Sequence, residues 1–210
     1  MLKRFTDLYS FKETEAEEFK SFKMSGMIFE ARGYEAEGLG HVSTMKAADA
    51  AGMMKMESFI VDPFDVDAPL LSIDRIKAMG KDSLYLELYD TCLNAGRDEE
   101  RFETVKERYR SLKDIPYKKN WYDDMRYRSS ILKKVNMFRS ADIDACISDF
   151  VDAYLELLKA AKPCDREKKI AKAREYSEGL LNNGGPATDA FLKTWGKEKT
   201  GEFFRKVLFG

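Results

Sequence analysis

Two acidic residues lie among apolar, strand-forming neighbours, and an acid in such a place can hold a proton at neutral pH. Asp74 sits in Leu70-Leu71-Ser72-Ile73-Asp74-Arg75-Ile76, and Glu57 in Met53-Met54-Lys55-Met56-Glu57-Ser58-Phe59-Ile60-Val61. Strand alternation puts Leu70, Ser72, Asp74 and Ile76 on one face and Leu71, Ile73 and Arg75 on the other. A carboxyl group on a half-buried sheet face has its ionised form disfavoured, which raises its pKa toward values useful for proton donation. The plainer reading of Asp74 is a solvent-facing acid, or one paired with a neighbouring arginine.

Other reactive residue types are scarce. His41 is the only histidine and follows Gly38-Leu39-Gly40, so it either faces a cleft or is a satisfied structural residue. One histidine excludes a multi-histidine metal site, and a Ser-His-Asp triad would have to use it. Cys92, Cys146 and Cys164 are odd in number and widely spaced, with no C-x-x-C. That excludes a disulfide framework, an iron–sulfur cluster and a cysteine zinc site built by one chain. The acidic loop Asp62, Asp65, Asp67 lacks the ligand spacing and central glycine of a calcium loop and reads as a solvated hairpin. No phosphate-cradling glycine motif is present, which argues against a nicotinamide or a nucleoside triphosphate in a standard site. Met24, Met27, Met45, Met53, Met54 and Met56 cluster in the first strands, as soft surface for a large flat ligand or as core filling.

These residues need elements to position them. A chain of 210 residues, 44% apolar and 35% charged, is long enough for one full core, and the expectation is a single domain over 1–210. No apolar run approaches the ~20 residues of a spanning helix, and no secretory signal opens the chain, so a soluble cytoplasmic protein without membrane insertion is expected. Net charge is −1 but unevenly spread: residues 1–100 carry −8, residues 101–140 carry +7 and the rest are neutral. The basic segment is either a set of solvated faces or a surface for an acidic partner. Nothing in it points to nucleic acid.

Ser10 and Glu13 suggest a capping box opening a short helix to about Met24. Strands are expected at 27–34, 38–46, 53–61, 70–78 and 83–91, with separators too short for crossover helices, hence an antiparallel meander. Asp98 to Lys113 reads as a helix and Trp121 to Val135 as one or two strands. A long helix follows, with Ser140 as N-cap and Pro163 as stop, then a charged helix from Asp165 to about Leu181, and short helices after Asn182-Asn183-Gly184-Gly185-Pro186. Strands bracketed by helices make an α+β fold, one sheet covered on both faces.

The C-terminal stretch Gly185-Pro186-Ala187-Thr188-Asp189-Ala190-Phe191-Leu192-Lys193-Thr194-Trp195-Gly196, then Thr200, Phe203, Phe204 and the ending Val207-Leu208-Phe209, resembles the ferredoxin-dependent bilin reductases. That family shows D-P-A-x-x-x-[LF]-x-x-x-[FW]-G followed by T-x-x-[FY] and a terminal L-F. Asp67-Ala68-Pro69-Leu70-Leu71-Ser72-Ile73-Asp74 is similar to its D-L-P-[MI]-F-G-x-D, and Tyr89-Asp90 to the A-D of its next strand. The resemblance covers about residues 26–210.

It implies a three-layer α/β/α sandwich with a central antiparallel sheet and an open-chain tetrapyrrole, biliverdin or a related bilin, held between sheet and C-terminal helices. It also implies no bound metal or flavin: reduced ferredoxin supplies single electrons and the protein supplies protons to a bilin radical. By position, Asp74 matches the sheet-side catalytic aspartate, and Glu57, 17 residues earlier, falls where members carry histidine or asparagine. Met45 falls where one subfamily has a glutamate, and Gly185 replaces the helix-side aspartate, with Pro186 beside it. Reduction at a methine bridge is the chemistry compatible with what is retained. A bilin-binding protein without catalysis and a reductase of chlorophyll-type linear tetrapyrroles are the alternatives. The propionates need cationic partners, for which Arg126, Arg128 and Lys133 are the candidates, and the +7 segment with Lys118, Lys119 and Lys134 is a surface to steer ferredoxin.

Overall fold

The computed structural model of the chain describes residues 1–94, 99–185 and 187–210. The period-two segments pair as a meander. Strands β3 (Met27–Ala36), β4 (Gly40–Asp49), β5 (Lys55–Pro63), β6 (Leu70–Ala78) and β7 (Lys81–Tyr89) run antiparallel side by side. Three short strands, β1 (Phe11–Glu13), β2 (Ser21–Met24) and β8 (Lys113–Asp114), and the six-residue β9 (Ile131–Asn136) complete one sheet of order β1-β3-β4-β5-β6-β7-β9-β8, with β2 also on β3.

Helices cover both faces, as the α+β sandwich expectation requires. On one side α1 (Leu2–Thr6), α2 (Glu100–Arg108) and α3 (Ser140–Ala160) pack Phe5, Phe102, Phe150 and Tyr154 against Phe59, Ile73 and Leu84. On the other, α4 (Arg166–Asn183) and α5 (Thr188–Phe203) lay Tyr176, Phe191 and Phe203 over Phe29, Ile60 and Leu70. The central strands therefore feed two cores by alternation, which is why Leu70, Leu71, Ser72 and Ile73 of β6 are all buried in succession. At the start of α4 the expected cap forms, the Asp165 carboxylate accepting a hydrogen bond from the Lys168 amide at 3.2 Å, whereas Ser140 does not cap α3 but is its first helical residue. Gly196, at φ 76°, kinks α5.

Across the helical interface with β6, Arg75 ties the layers together. Its Nε and Nη2 donate to the Asp82 carboxylate of β7 at 2.9 and 2.6 Å, and Nη1 donates to Asp144 of α3 at 2.5 Å. Asp82 is wholly buried. Burial opposes its ionisation, but the hydrogen bonds and the charge of Arg75 outweigh that and hold its carboxyl below the usual range.

Two expectations are corrected. Residues 10–24 do not form a capped helix: Phe11–Glu13 and Ser21–Met24 add to β3, and only Glu17–Phe19 makes a helical turn. Backbone pairing to an otherwise open strand and the stacking of Phe22 on Phe29, 5.0 Å between rings, override the capping pattern. Nor does a strand run through 121–130, where only Arg126 makes an isolated bridge, to Tyr89. Trp121–Asp124 is a 3-10 turn, begun where the Asn120 amide donates to Asp123 at 3.0 Å, and the strand starts at Ile131.

Candidate active site

The sheet face under α4 and α5 does not close onto its helices everywhere. Between them lies a cavity of about 610 Å³, within the size range of small-molecule sites. Register sets its floor. Ser58 of β5 stands opposite Asp74 of β6, which stands opposite Tyr85 of β7, and Ser72 stands opposite Glu87. All five side chains line the cavity. Methionines 45 and 56 and Ile60 extend the floor as apolar wall, Leu180, Phe191 and Phe204 form the roof, and the loop bearing Tyr117 and Lys118 edges the mouth.

Asp74 is held by hydroxyls alone. Ser58 Oγ donates to Oδ1 at 2.5 Å and Ser72 Oγ to Oδ2 at 3.2 Å. Burial raises its carboxyl pKa above the ordinary value, and the two serine hydrogen bonds only partly offset this. Glu87 is raised by burial as well, opposed by the Arg126 guanidinium and reinforced by the negative charge of Asp74. Arg126 Nη1 donates to Glu87 Oε1 at 3.0 Å and the guanidinium lies over the Tyr117 ring, 4.0 Å from its centroid. Behind Glu87, Tyr89 stacks on Tyr176 at 4.1 Å and burial pushes both phenols up.

The roof is fastened by its own end. Helical geometry leaves the last carbonyls unpaired, and here Thr14 Oγ1 donates to Lys206 O at 2.9 Å, His41 Nε2 to Val207 O at 2.7 Å and Ser43 Oγ to Leu208 O at 3.0 Å. His41 is fully buried in this clasp, so the lone histidine does not line the cavity.

Of the positions matched to the family's site, Asp74, Met45 and Gly185 line the cavity, and four more of the clustered methionines join them; Pro186 lies outside the described residues. Glu57 does not line it. It is exposed, in register with Arg75 rather than Asp74, and so points to the α3 side: the one-residue offset from Ser58 puts it on the other face. The three proposed anchors are also displaced. Arg126 is engaged with Glu87, and Arg128 is exposed outside the cavity. Lys133, opposite Leu84, is buried on the α3 side, donating to Leu112 O at 3.0 Å and pairing with Asp114 at 2.7 Å. Among the described lining residues, Lys118 is the one cation. Sequence reasoning missed Ser58 and Glu87, although both share parity with residues that mark the floor: Ser58 with Met56 and Ile60, Glu87 with Tyr85 and Tyr89.

An antiparallel sheet between two helical layers, with a ligand-sized cavity under one of them, defines the class of fold. The structure of phytochromobilin synthase from tomato in complex with biliverdin shares it, with a TM-score of 0.76 over 96% of this chain and 77% of that one, at 11% sequence identity. No protein-family model and no curated protein matches the sequence. Among the described residues no helix is long and apolar enough to cross a membrane.

Proposed function

We propose that this chain reduces one double bond of a linear tetrapyrrole of the biliverdin type, taking electrons singly from reduced ferredoxin and a proton from Asp74. The observation that carries this is Asp74 itself: an acid with a raised pKa, oriented by two serines, on the floor of an aromatic- and methionine-lined cavity. The shared fold with a protein solved holding biliverdin supports the choice of ligand. The rings would lie between the sheet and α5, and the propionates would reach the mouth, where Lys118 stands. One-electron reduction makes a basic radical anion, and a nearby neutral acid is the group that quenches it.

Mixing the protein with biliverdin under anaerobic conditions should shift the pigment's visible absorption, and adding a ferredoxin-reducing system should convert it to a product with a shortened chromophore. A bound pigment that never changes under reduction would favour the second reading, a non-catalytic bilin-binding protein. That reading draws on Gly185, since no described residue on the helical wall brings a carboxyl into the cavity. An unchanged spectrum on mixing would sink both. Glu57→Gln, on the far face, should leave the conversion rate within about two-fold of the parent and stability within ~0.5 kcal/mol; a larger loss in a steady-state assay would return Glu57 to the site.

A further inference from the structure

We propose that Glu87 is the second proton donor of this reaction, so that both protons reach the tetrapyrrole from the sheet side. The inference rests on the reductase reading above. Reducing a double bond consumes two electrons and two protons, and Asp74 carries one proton at a time. Among the described residues lining the cavity, Asp74 and Glu87 are the only carboxyls, and both project from the sheet. The opposing wall offers Gly185, Thr188, the Tyr176 phenol and hydrocarbon, and no carboxyl.

The geometry suits a paired donor. Glu87 is the diagonal neighbour of Asp74 on the same face, a relation that separates residues by about 7–8 Å, and a tetrapyrrole lying on the floor would cover both. Ser72 stands between them, opposite Glu87 and hydrogen-bonded to Asp74. Glu87 also has a route to solvent. Its partner Arg126 lies 3.7 Å from Asp123, and these side chains are 13–17% exposed, at the edge of the cavity. Water at that edge can return a proton to Glu87 after turnover.

The steps balance as follows. The first electron from ferredoxin, a one-electron iron–sulfur donor, enters the pigment's π system; the Asp74 O–H bond breaks and a C–H or N–H bond forms, leaving a neutral radical and an Asp74 carboxylate. That new negative charge favours the protonated form of Glu87, while Arg126 limits how far. When the second electron arrives, the Glu87 O–H bond breaks and the second pigment–hydrogen bond forms. Two carboxylates remain, and both regain protons from water.

The test is single turnover of the parent protein and variants with biliverdin and excess reduced ferredoxin, followed by stopped-flow absorbance and freeze-quenched electron paramagnetic resonance. Glu87→Gln should bind biliverdin within about three-fold of the parent, form the radical at the parent rate, and hold it at least ten-fold longer. Glu87→Asp, which keeps both the transferable proton and a partner for Arg126, should restore most of the decay rate. Arg126→Gln removes the cation facing Glu87. The other groups around it are Asp74, the phenols Tyr85 and Tyr89 on its own strand, Tyr122 of the 3-10 turn and Tyr176 of α4. Loss of the cation should therefore move the alkaline limit of radical decay to higher pH. Radical decay at the parent rate in Glu87→Gln, or slow decay that Glu87→Asp fails to rescue, overturns the role of Glu87 with the reductase reading intact. A parent protein that binds biliverdin but never reduces it overturns both.

Discussion

Asp74→Asn should lower the rate of tetrapyrrole reduction by two to four orders of magnitude, about the range of general acid catalysis, while affinity for biliverdin stays near that of the parent. Asparagine keeps the size of the side chain and can still meet the hydroxyls of Ser58 and Ser72, so the floor of the cavity is preserved. What it lacks is a transferable proton. The pH dependence has a definite sign. As proton donor Asp74 acts in its protonated form, and because burial raises its folded-state pKa, turnover should fall as pH rises through that raised value. Stability runs the same way: a carboxyl whose pKa is raised on folding makes the protein less stable as pH climbs from the ordinary carboxyl value to the raised one. The asparagine variant, with no charge to bury, should be at least as stable as the parent at pH 8. Parent-like turnover in Asp74→Asn, with the same product, would falsify the assignment. A variant both inactive and strongly destabilised would make Asp74 structural instead.

The largest effect on stability is expected from Arg75→Leu. Leucine fills much of the same space between β6 and α3 but leaves the Asp82 carboxylate, with no exposed surface, without its forked partner. Breaking a buried ion pair on one side costs about 3–5 kcal/mol, enough to remove a large part of a domain's net stability. Urea denaturation at pH 7 measures it. The acid response should change too. In the parent, Asp82 has a depressed pKa, so its contribution is complete above the ordinary aspartate value and is lost as pH falls through the depressed one. Without Arg75, burial is opposed only by the partly exposed Lys77 ammonium 3.9 Å away, and acid should relieve the variant. Adding Asp82→Leu to Arg75→Leu should recover most of the loss, since two apolar groups can replace a buried pair at little cost. A single-variant loss under about 1 kcal/mol would mean that water reaches Asp82.

Much of the fold could be read from periodicity. The strands expected at 27–34 and 70–78 appear as Met27–Ala36 and Leu70–Ala78, and the stripe from Ile143 to Leu158 lies in Ser140–Ala160. The parts that could not be read were decided by partners distant in sequence. Residues 11–13 and 21–24 carry helix-compatible residues but meet the free edge of β3, and a capping pattern contains no information about an edge. The site divides along the same line. Alternation within β6 was enough to put Asp74 on a face with Leu70 and Ser72, and that is where it lies. Choosing its companion required the register between strands, which sets Ser58, not Glu57, opposite it. The basic residues misled because charge does not encode direction: Lys133 and Arg126 are spent on Asp114 and Glu87.

The clasp formed by Thr14, His41 and Ser43 joins the start of the chain to residues made 165 to 192 positions later. During synthesis β3 to β7 leave the ribosome well before α4, α5 and the clasped turn. For that interval Phe29, Met45, Ile60 and Leu70 would form an uncovered apolar slab, the kind of surface on which nascent chains stick to one another. A pigment of the proposed kind, bound between slab and roof, would favour the docked roof by an amount that grows with the logarithm of its free concentration over its dissociation constant. Supply of ligand to the growing cell would then govern how much of this protein survives to maturity, apart from any turnover it performs.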